Sequence, residues 1–141
     1  MRAGLFAPAD LNADGVDFFV GHTLDRVLST LHEQVLRGFL FESDGCERSR
    51  CKAQTAEVMR AFTGALSEVR NRLEADIRAA YEGDPAATSP DEAVFCYPGI
   101  TAIMHHRLAH HLYTMKVPLI PRIMAEIAHA VKSRGRSRQG P

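Results

Sequence analysis

Histidines dominate one short segment of the chain, where His105, His106, His110 and His111 surround Arg107. On a helix, residues four positions apart share a face, so His106 and His110 could bind one metal ion together. No glutamate adjoins this pair, and no third ligand lies close to it in the sequence. The alternative interpretation places these histidines on a polar helix face or at a contact between helices or subunits.

Two cysteines, Cys46 and Cys51, could add thiolates to the histidine pair, but their spacing is loose for a structural zinc site. We therefore expect no bound metal. A small metal-binding helical bundle that uses His106, His110 and the cysteines is kept as an alternative.

Asp84 lies in an acidic turn, after a predicted helix and directly before Pro85. In such a chain reversal the carboxylate could accept hydrogen bonds from a helix N-terminus, which would be a structural role. It could also face a cleft and bind the ammonium or hydroxyl group of a ligand, because loops often carry binding residues.

Arg107 falls inside or beside an apolar stripe on its predicted helix. The stripe comprises Ile100, Ile103, Met104, Leu108, Leu112 and Met115. A guanidinium group in such a place requires an acceptor, so we expect a carboxylate or a helix end as its partner. Glu126, Glu92 and Asp91 are the candidates. This pattern favours an arginine that joins helices, with substrate binding as the alternative.

Other chemical motifs in the sequence are weak. Glu126 and His129 form a single ExxH pair, whereas carboxylate-bridged di-iron sites need two such pairs. Cys96 follows an apolar triplet and is predicted to be a small packed hydrophobe. We find no nucleophile elbow and no glycine-rich phosphate loop, and we assign no catalytic residue.

The apolar residues recur at spacings of three and four, which predicts an all-α chain. The predicted helices cover residues 16–40, residues 53–81, a short segment capped by Ser89, residues 98–115 and a segment from about Pro118. Gly38 is expected to close the first helix, and residues 42–52 are predicted to form a loop. Ser89 and Glu92 have the spacing of a capping box. No strand pattern and no internal repeat is evident.

The composition indicates one globular domain with tails, 45% hydrophobic over 141 residues. Seventeen basic residues balance seventeen acidic ones, which argues against a nucleic-acid partner. The start of the chain has no apolar run of leader length, and no segment is apolar enough to span a membrane. With three cysteines and no leader, we expect a reducing, cytoplasmic location and no membrane partner.

Two segments resemble a known enzyme family. The sequence ADIRAAYEGDPAATSPDEAVFCYPGITAIMHHRLAHHLY, followed by VPLIPRIMAEIAH, is similar to the N-terminal helical domain of bacterial serine O-acetyltransferases. The shared pattern reads DPAA, then YPG, then HRLAH, then VPLIPRI, and it covers about residues 70–130. The order and the spacing of these motifs agree, so the resemblance is specific.

The resemblance implies an acyltransferase that moves an acetyl group from acetyl-CoA to L-serine in cysteine biosynthesis. It implies a helical domain followed by a left-handed β-helix of hexapeptide repeats, which carries a histidine base, its aspartate and the acetyl-CoA groove. It also implies a homo-oligomer that forms through the helical domain. The aspartate of the DPA turn, Asp84 here, would reach the serine pocket and bind the substrate.

The resemblance ends near His129, after which the chain reads AVKSRGRSRQGP. We therefore expect a truncated fragment that binds no cofactor and has little or no activity. We divide it into a variable helix and loop at 1–52, a helical serine acetyltransferase-like domain at 53–132, and a basic disordered tail at 133–141. The alternative function is a helical oligomerisation or regulatory module.

Overall fold

The fold was determined from a computed structural model, which describes residues 12–42 and 47–137. The helices are α1 Ala13–Glu42, α2 Arg48–Glu82, α3 Pro90–Cys96, α4 Pro98–Thr114 and α5 Ile120–Ser137. No strand occurs in these two described ranges, and the predicted all-α fold is confirmed. The long helices α1 and α2 pack against each other, α4 lies on α2, and α5 packs mainly on α4.

The prediction of a loop over residues 42–52 was wrong at its C-terminal end, because α2 already begins at Arg48. The carbonyl of Glu47 accepts hydrogen bonds from the amides of Arg50 and Cys51, at 2.9 and 3.3 Å. The Cys51 side chain is only 1% exposed and belongs to the hydrophobic core. Burial of this residue stabilises a turn whose polar composition had favoured a loop. Cys46 lies outside the described residues.

The core forms where α1, α2, α4 and the following loop meet. Its buried members are Val35, Phe39, Cys51, Val58, Met59, Phe62, Leu112 and Val117. Leu112, in the last turn of α4, belongs to the predicted stripe and is 0% exposed. Thr55 is also buried, and its hydroxyl donates to the carbonyl of Cys51 at 2.8 Å, so this polar group is satisfied.

Gly38 does not close α1, which continues to Glu42. A Cβ atom at Gly38 would lie 3.0 Å from the carbonyl oxygen of Pro118, in the loop before α5. The absence of a side chain therefore allows close contact between α1 and that loop. Lys116 and Leu119 in the same loop have φ values of 60° and 62°, and the chain reverses between α4 and α5 there.

The short helix α3 begins as the sequence predicts. The Ser89 hydroxyl accepts a hydrogen bond from the Glu92 amide at 3.3 Å, and Pro90 occupies the first turn. The Glu92 carboxylate reaches back to the amide of Thr88 at 2.8 Å, one residue earlier than in a standard capping box. Tyr97 then ends α3 and begins α4, so one residue joins the two helices.

Helix α5 begins at Ile120 and continues to Ser137, past the boundary that the sequence predicted at residue 132. The remaining residues of the predicted tail, 138–141, lie outside the described part of the chain. Within the described ranges, no helix combines the length and the apolar character that crossing a lipid bilayer requires.

Candidate functional site

The turn that carries Asp84 follows the end of α2 at Glu82. The amide of Gly83 donates to the carbonyl of Ala79 at 3.0 Å and closes the helix. The Asp84 carbonyl then accepts from the Ala87 amide at 3.0 Å, and Asp84 Oδ1 accepts from the Ala86 amide at 2.9 Å. The carboxylate therefore stabilises its own turn and does not cap α3, whose N-cap is Ser89.

The second oxygen of this carboxylate has a more distant partner. The Tyr97 hydroxyl donates a hydrogen bond to Asp84 Oδ2, and this bond connects the turn after α2 to the first residue before α4. Each carboxylate oxygen thus has one donor. An ionised carboxylate can accept about four hydrogen bonds, so Asp84 keeps capacity for a ligand.

Asp84 and Tyr97 line an open depression of about 490 Å³. Its other lining residues are Ala80, Cys96, Pro98, Gly99, Ile100 and Ile103. The Asp84 residue is half-buried and reaches this surface. None of the eight lining residues is basic, so Asp84 is the charged group of the depression.

The prediction that Cys96 is a packed hydrophobe was wrong, because its side chain is exposed. Helix α3, which contains Cys96, has only seven residues, and Ala93 is its buried residue. Cys96 is the last residue of that helix, and it lies on the wall of the Asp84 depression.

Hydrogen bonding sets the ionisation of both polar groups. The Tyr97 hydroxyl, followed by the Ala86 amide, holds the pKa of the Asp84 carboxyl below its ordinary value of 3.8. In return, the Asp84 carboxylate raises the pKa of the Tyr97 hydroxyl to about 12. At neutral pH the depression therefore presents an anion, which suits a ligand with an ammonium group.

The histidine pair lies at a different place. The rings of His106 and His110 have centroids 6.3 Å apart, and they line a smaller depression of about 70 Å³ with Arg107 and His111. Within residues 12–42 and 47–137, no three His, Cys, Asp or Glu side chains are grouped so that they could hold a metal ion. Cys51, the described cysteine of the predicted set, is buried in the core.

Arg107 has a carboxylate partner, but it is Asp76 on α2. The three predicted candidates, Glu126, Glu92 and Asp91, were wrong. Arg107 Nε lies 2.6 Å from Asp76 Oδ2, and Arg107 Nη2 lies 2.8 Å from Asp76 Oδ1. This bidentate pair, through its hydrogen bonds and charge, raises the pKa of the Arg107 guanidinium.

The partly buried Arg107–Asp76 pair joins α4 to α2, with side-chain exposures of 27% and 23%. Charge-assisted hydrogen bonds of this kind contribute about 1.5–3 kcal/mol to the free energy of unfolding. An exposed pair within one helix, such as Arg37–Glu33, contributes only about 0.3–0.5 kcal/mol.

Glu126, which the sequence had suggested as a partner of Arg107, is exposed on α5.

An apolar groove of about 500 Å³ lies between α2, α3 and α4. Leu66, Leu73, Ile77, Val94 and Met104 make most of its lining apolar. Its lining also includes charged and polar residues, namely Arg70, Glu74, Arg78, Asp91 and Thr101.

Tyr97 is the residue of the site that the sequence did not single out, since the Tyr97-Pro98-Gly99 segment was interpreted only as a break between helices. The sequence did contain one indication of its role, because Tyr97 lies directly before a helix that starts with proline. A side chain at such a junction is held close to the preceding turn.

Comparisons with known proteins place the chain among serine acetyltransferases. None of the protein-family models matches the chain. A curated protein of Synechococcus elongatus called "Serine acetyltransferase, plasmid" is 42% identical over 130 residues, which is 89% of this chain and 41% of that protein. The serine acetyltransferases of Synechocystis sp. and Mycobacterium tuberculosis are 48% identical over 58 residues and 50% identical over 54.

These matches cover 41% and 38% of this chain, and 23% and 24% of the two relatives. The chain thus spans less than half the length of these three curated relatives, and it aligns with their N-terminal region.

We predict that one of the three tyrosines in the chain titrates near pH 12. Substitution Asp84→Asn should move this transition toward pH 10, because it removes the anion beside the phenol. Ultraviolet absorbance of tyrosinate measures the effect. Tyr97→Phe should abolish the transition and the control Tyr113→Phe should retain it, whereas a curve unchanged by Asp84→Asn would contradict the assignment.

The sign of the accompanying stability change follows from the raised pKa. The Tyr97 bond contributes fully below pH 10, and its contribution is lost as pH rises through about 12. On the acid side, the contribution of Asp84 is present above pH 3.8 and is lost as pH falls through its lowered pKa.

Proposed function

We propose that this chain, a homologue of the N-terminal region of serine acetyltransferases, forms the serine-binding helical part of such an enzyme. Asp84 would accept hydrogen bonds from the ammonium group of L-serine. The observation that supports this role is an ionised carboxylate at an open depression, with one donor on each oxygen and no basic residue in the lining.

The role of Asp84 in the reaction is orientation. A base removes the proton of the serine hydroxyl while its oxygen attacks the thioester carbonyl of acetyl-CoA. The new C–O bond forms, the C–S bond breaks, and the coenzyme A thiol leaves with a proton. A carboxylate that holds the ammonium group fixes the position of the hydroxyl during this attack.

The base would come from outside the described helices, since the resemblance assigns it to a β-helix and residues 12–42 and 47–137 contain no strand. We therefore propose that residues 1–141 bind L-serine but turn it over slowly or not at all. Acetyl-CoA would be the co-substrate of the whole enzyme, in the cytoplasm.

Calorimetry with L-serine tests the role of Asp84. We expect Asp84→Asn to weaken binding at least tenfold, because the ammonium group loses its charged acceptor. The matched control is Glu82→Gln, which removes a charge two residues away on the exposed end of α2 and should leave the affinity unchanged. Equal affinities for the Asp84→Asn variant and the wild-type chain would refute the proposed role.

An assay of coenzyme A thiol release completes this test. Residues 1–141 should release little thiol in the presence of acetyl-CoA and L-serine. Robust turnover by this chain would show that the base lies within it, and would overturn the proposed division of labour.

A second proposed function is self-association through α1. Val20, Leu24 and Val27 form an apolar stripe on α1 that leads toward its buried residues Val35 and Phe39. The three stripe residues are nevertheless 48%, 44% and 57% exposed. Phe18 on the same part of α1 is 78% exposed. An apolar surface of this kind suits a second copy of the chain, with the stripe at the interface.

Analytical ultracentrifugation tests this association. We expect the wild-type chain to sediment as an oligomer at tens of micromolar, and the double variant Leu24→Glu, Val27→Glu to sediment as a monomer. Ser29→Glu places a charge on an exposed polar position of α1 and should preserve the oligomer. A strictly monomeric wild-type chain would count against this function.

A further inference from the structure

We propose that Tyr97 is a positioning residue for substrate binding: its hydroxyl holds the Asp84 carboxylate in the orientation that receives the ammonium group. The inference rests on the proposed function and adds to it a residue that acts through Asp84. It is carried by one hydrogen bond between the turn after α2 and the start of α4, whose two residues lie 13 positions apart in sequence.

The turn itself holds Asp84 only weakly. Glu82, Gly83, Pro85 and Ala86 are exposed, and Asp84 is half-buried, so packing restricts the carboxylate little. The Ala86 amide fixes one oxygen from within the turn. The Tyr97 hydroxyl fixes the other from the wall of the depression. Two donors from different elements define the plane of the carboxylate, which one donor could not do.

Tyr97 itself is well anchored, because its backbone caps two helices, α3 and α4. The Tyr97 amide donates to the Ala93 carbonyl of α3 at 3.3 Å, and the Tyr97 carbonyl accepts from the Ile100 amide of α4 at 3.0 Å. The ring therefore extends from a rigid junction toward a less rigid turn. In this arrangement the position of α4 determines the position of the Asp84 carboxylate.

The bond also restricts which ligands the depression can accept. Because the Tyr97 proton is committed to Asp84, both side chains present only oxygen lone pairs to a ligand. Glu92, which accepts a hydrogen bond from the Thr88 hydroxyl, lies near this pair and adds negative potential. A ligand with several N–H donors and a positive charge fits this surface best, whereas an analogue with a hydroxyl in place of the ammonium group offers one donor and no charge.

The variant Tyr97→Phe tests this role, because it keeps the ring and removes only the hydroxyl. We expect the pKa of the Asp84 carboxyl, followed by its carbon-13 chemical shift, to rise toward 3.8. We also expect the affinity for L-serine to fall about three- to tenfold, as the loss of one orienting hydrogen bond predicts. The control Tyr113→Phe removes a hydroxyl from the exposed C-terminal end of α4 and should change neither quantity.

The two readouts separate this inference from the proposed function. If wild-type chain does not bind L-serine, the proposed function fails, and so does the substrate role of Tyr97. If wild-type chain binds L-serine but Tyr97→Phe leaves both the Asp84 pKa and the affinity unchanged, only the positioning role is overturned. A purely structural role of the bond would raise the Asp84 pKa and lower the thermal stability of Tyr97→Phe without changing the affinity for L-serine, and that result would also overturn the inference.

Discussion

The hydrogen bond from Tyr97 to Asp84 is the interaction on which the candidate site depends. It joins a turn that has little packing of its own to a helix that is fixed in the core. It also lowers the pKa of the Asp84 carboxyl and raises the pKa of the Tyr97 hydroxyl, which widens the pH range over which the carboxylate is ionised and the phenol is protonated. Without this bond, the Ala86 amide alone would hold the carboxylate, and one donor does not define its plane.

Contacts with the core, with α2 and with α3 hold α4 in place. Leu112 places one end of the helix in the hydrophobic core, and Arg107 ties its middle to Asp76 on α2. Tyr97 and Pro98 fix its beginning to α3. The same helix therefore connects the core, an ion pair and the Asp84 carboxylate, so a displacement of α4 would change the geometry of the candidate site.

Periodicity and turn chemistry predicted the five helices and the Ser89 cap, because these features depend on residues close in sequence. Interactions across the fold were harder to predict. The partner of Arg107, Asp76, lies 31 positions away on another helix, and nearer acids were chosen instead. Likewise, burial of Cys51 extends α2 into a polar segment, and Asp84 was singled out whereas its donor, Tyr97, was not. Each of these outcomes depends on how helices pack, which a one-dimensional pattern does not specify.

Amide chemical-shift mapping of the labelled chain during addition of L-serine tests the central claim, that Asp84 faces a serine-binding depression, most directly. The account predicts that the shifted amides cluster at Ala86, Gly99 and Ile100, around the carboxylate. It also predicts that 3-hydroxypropionate, which lacks the ammonium group, causes no such shifts. Shifts centred on His106 and His110, or equal shifts with both compounds, would contradict it.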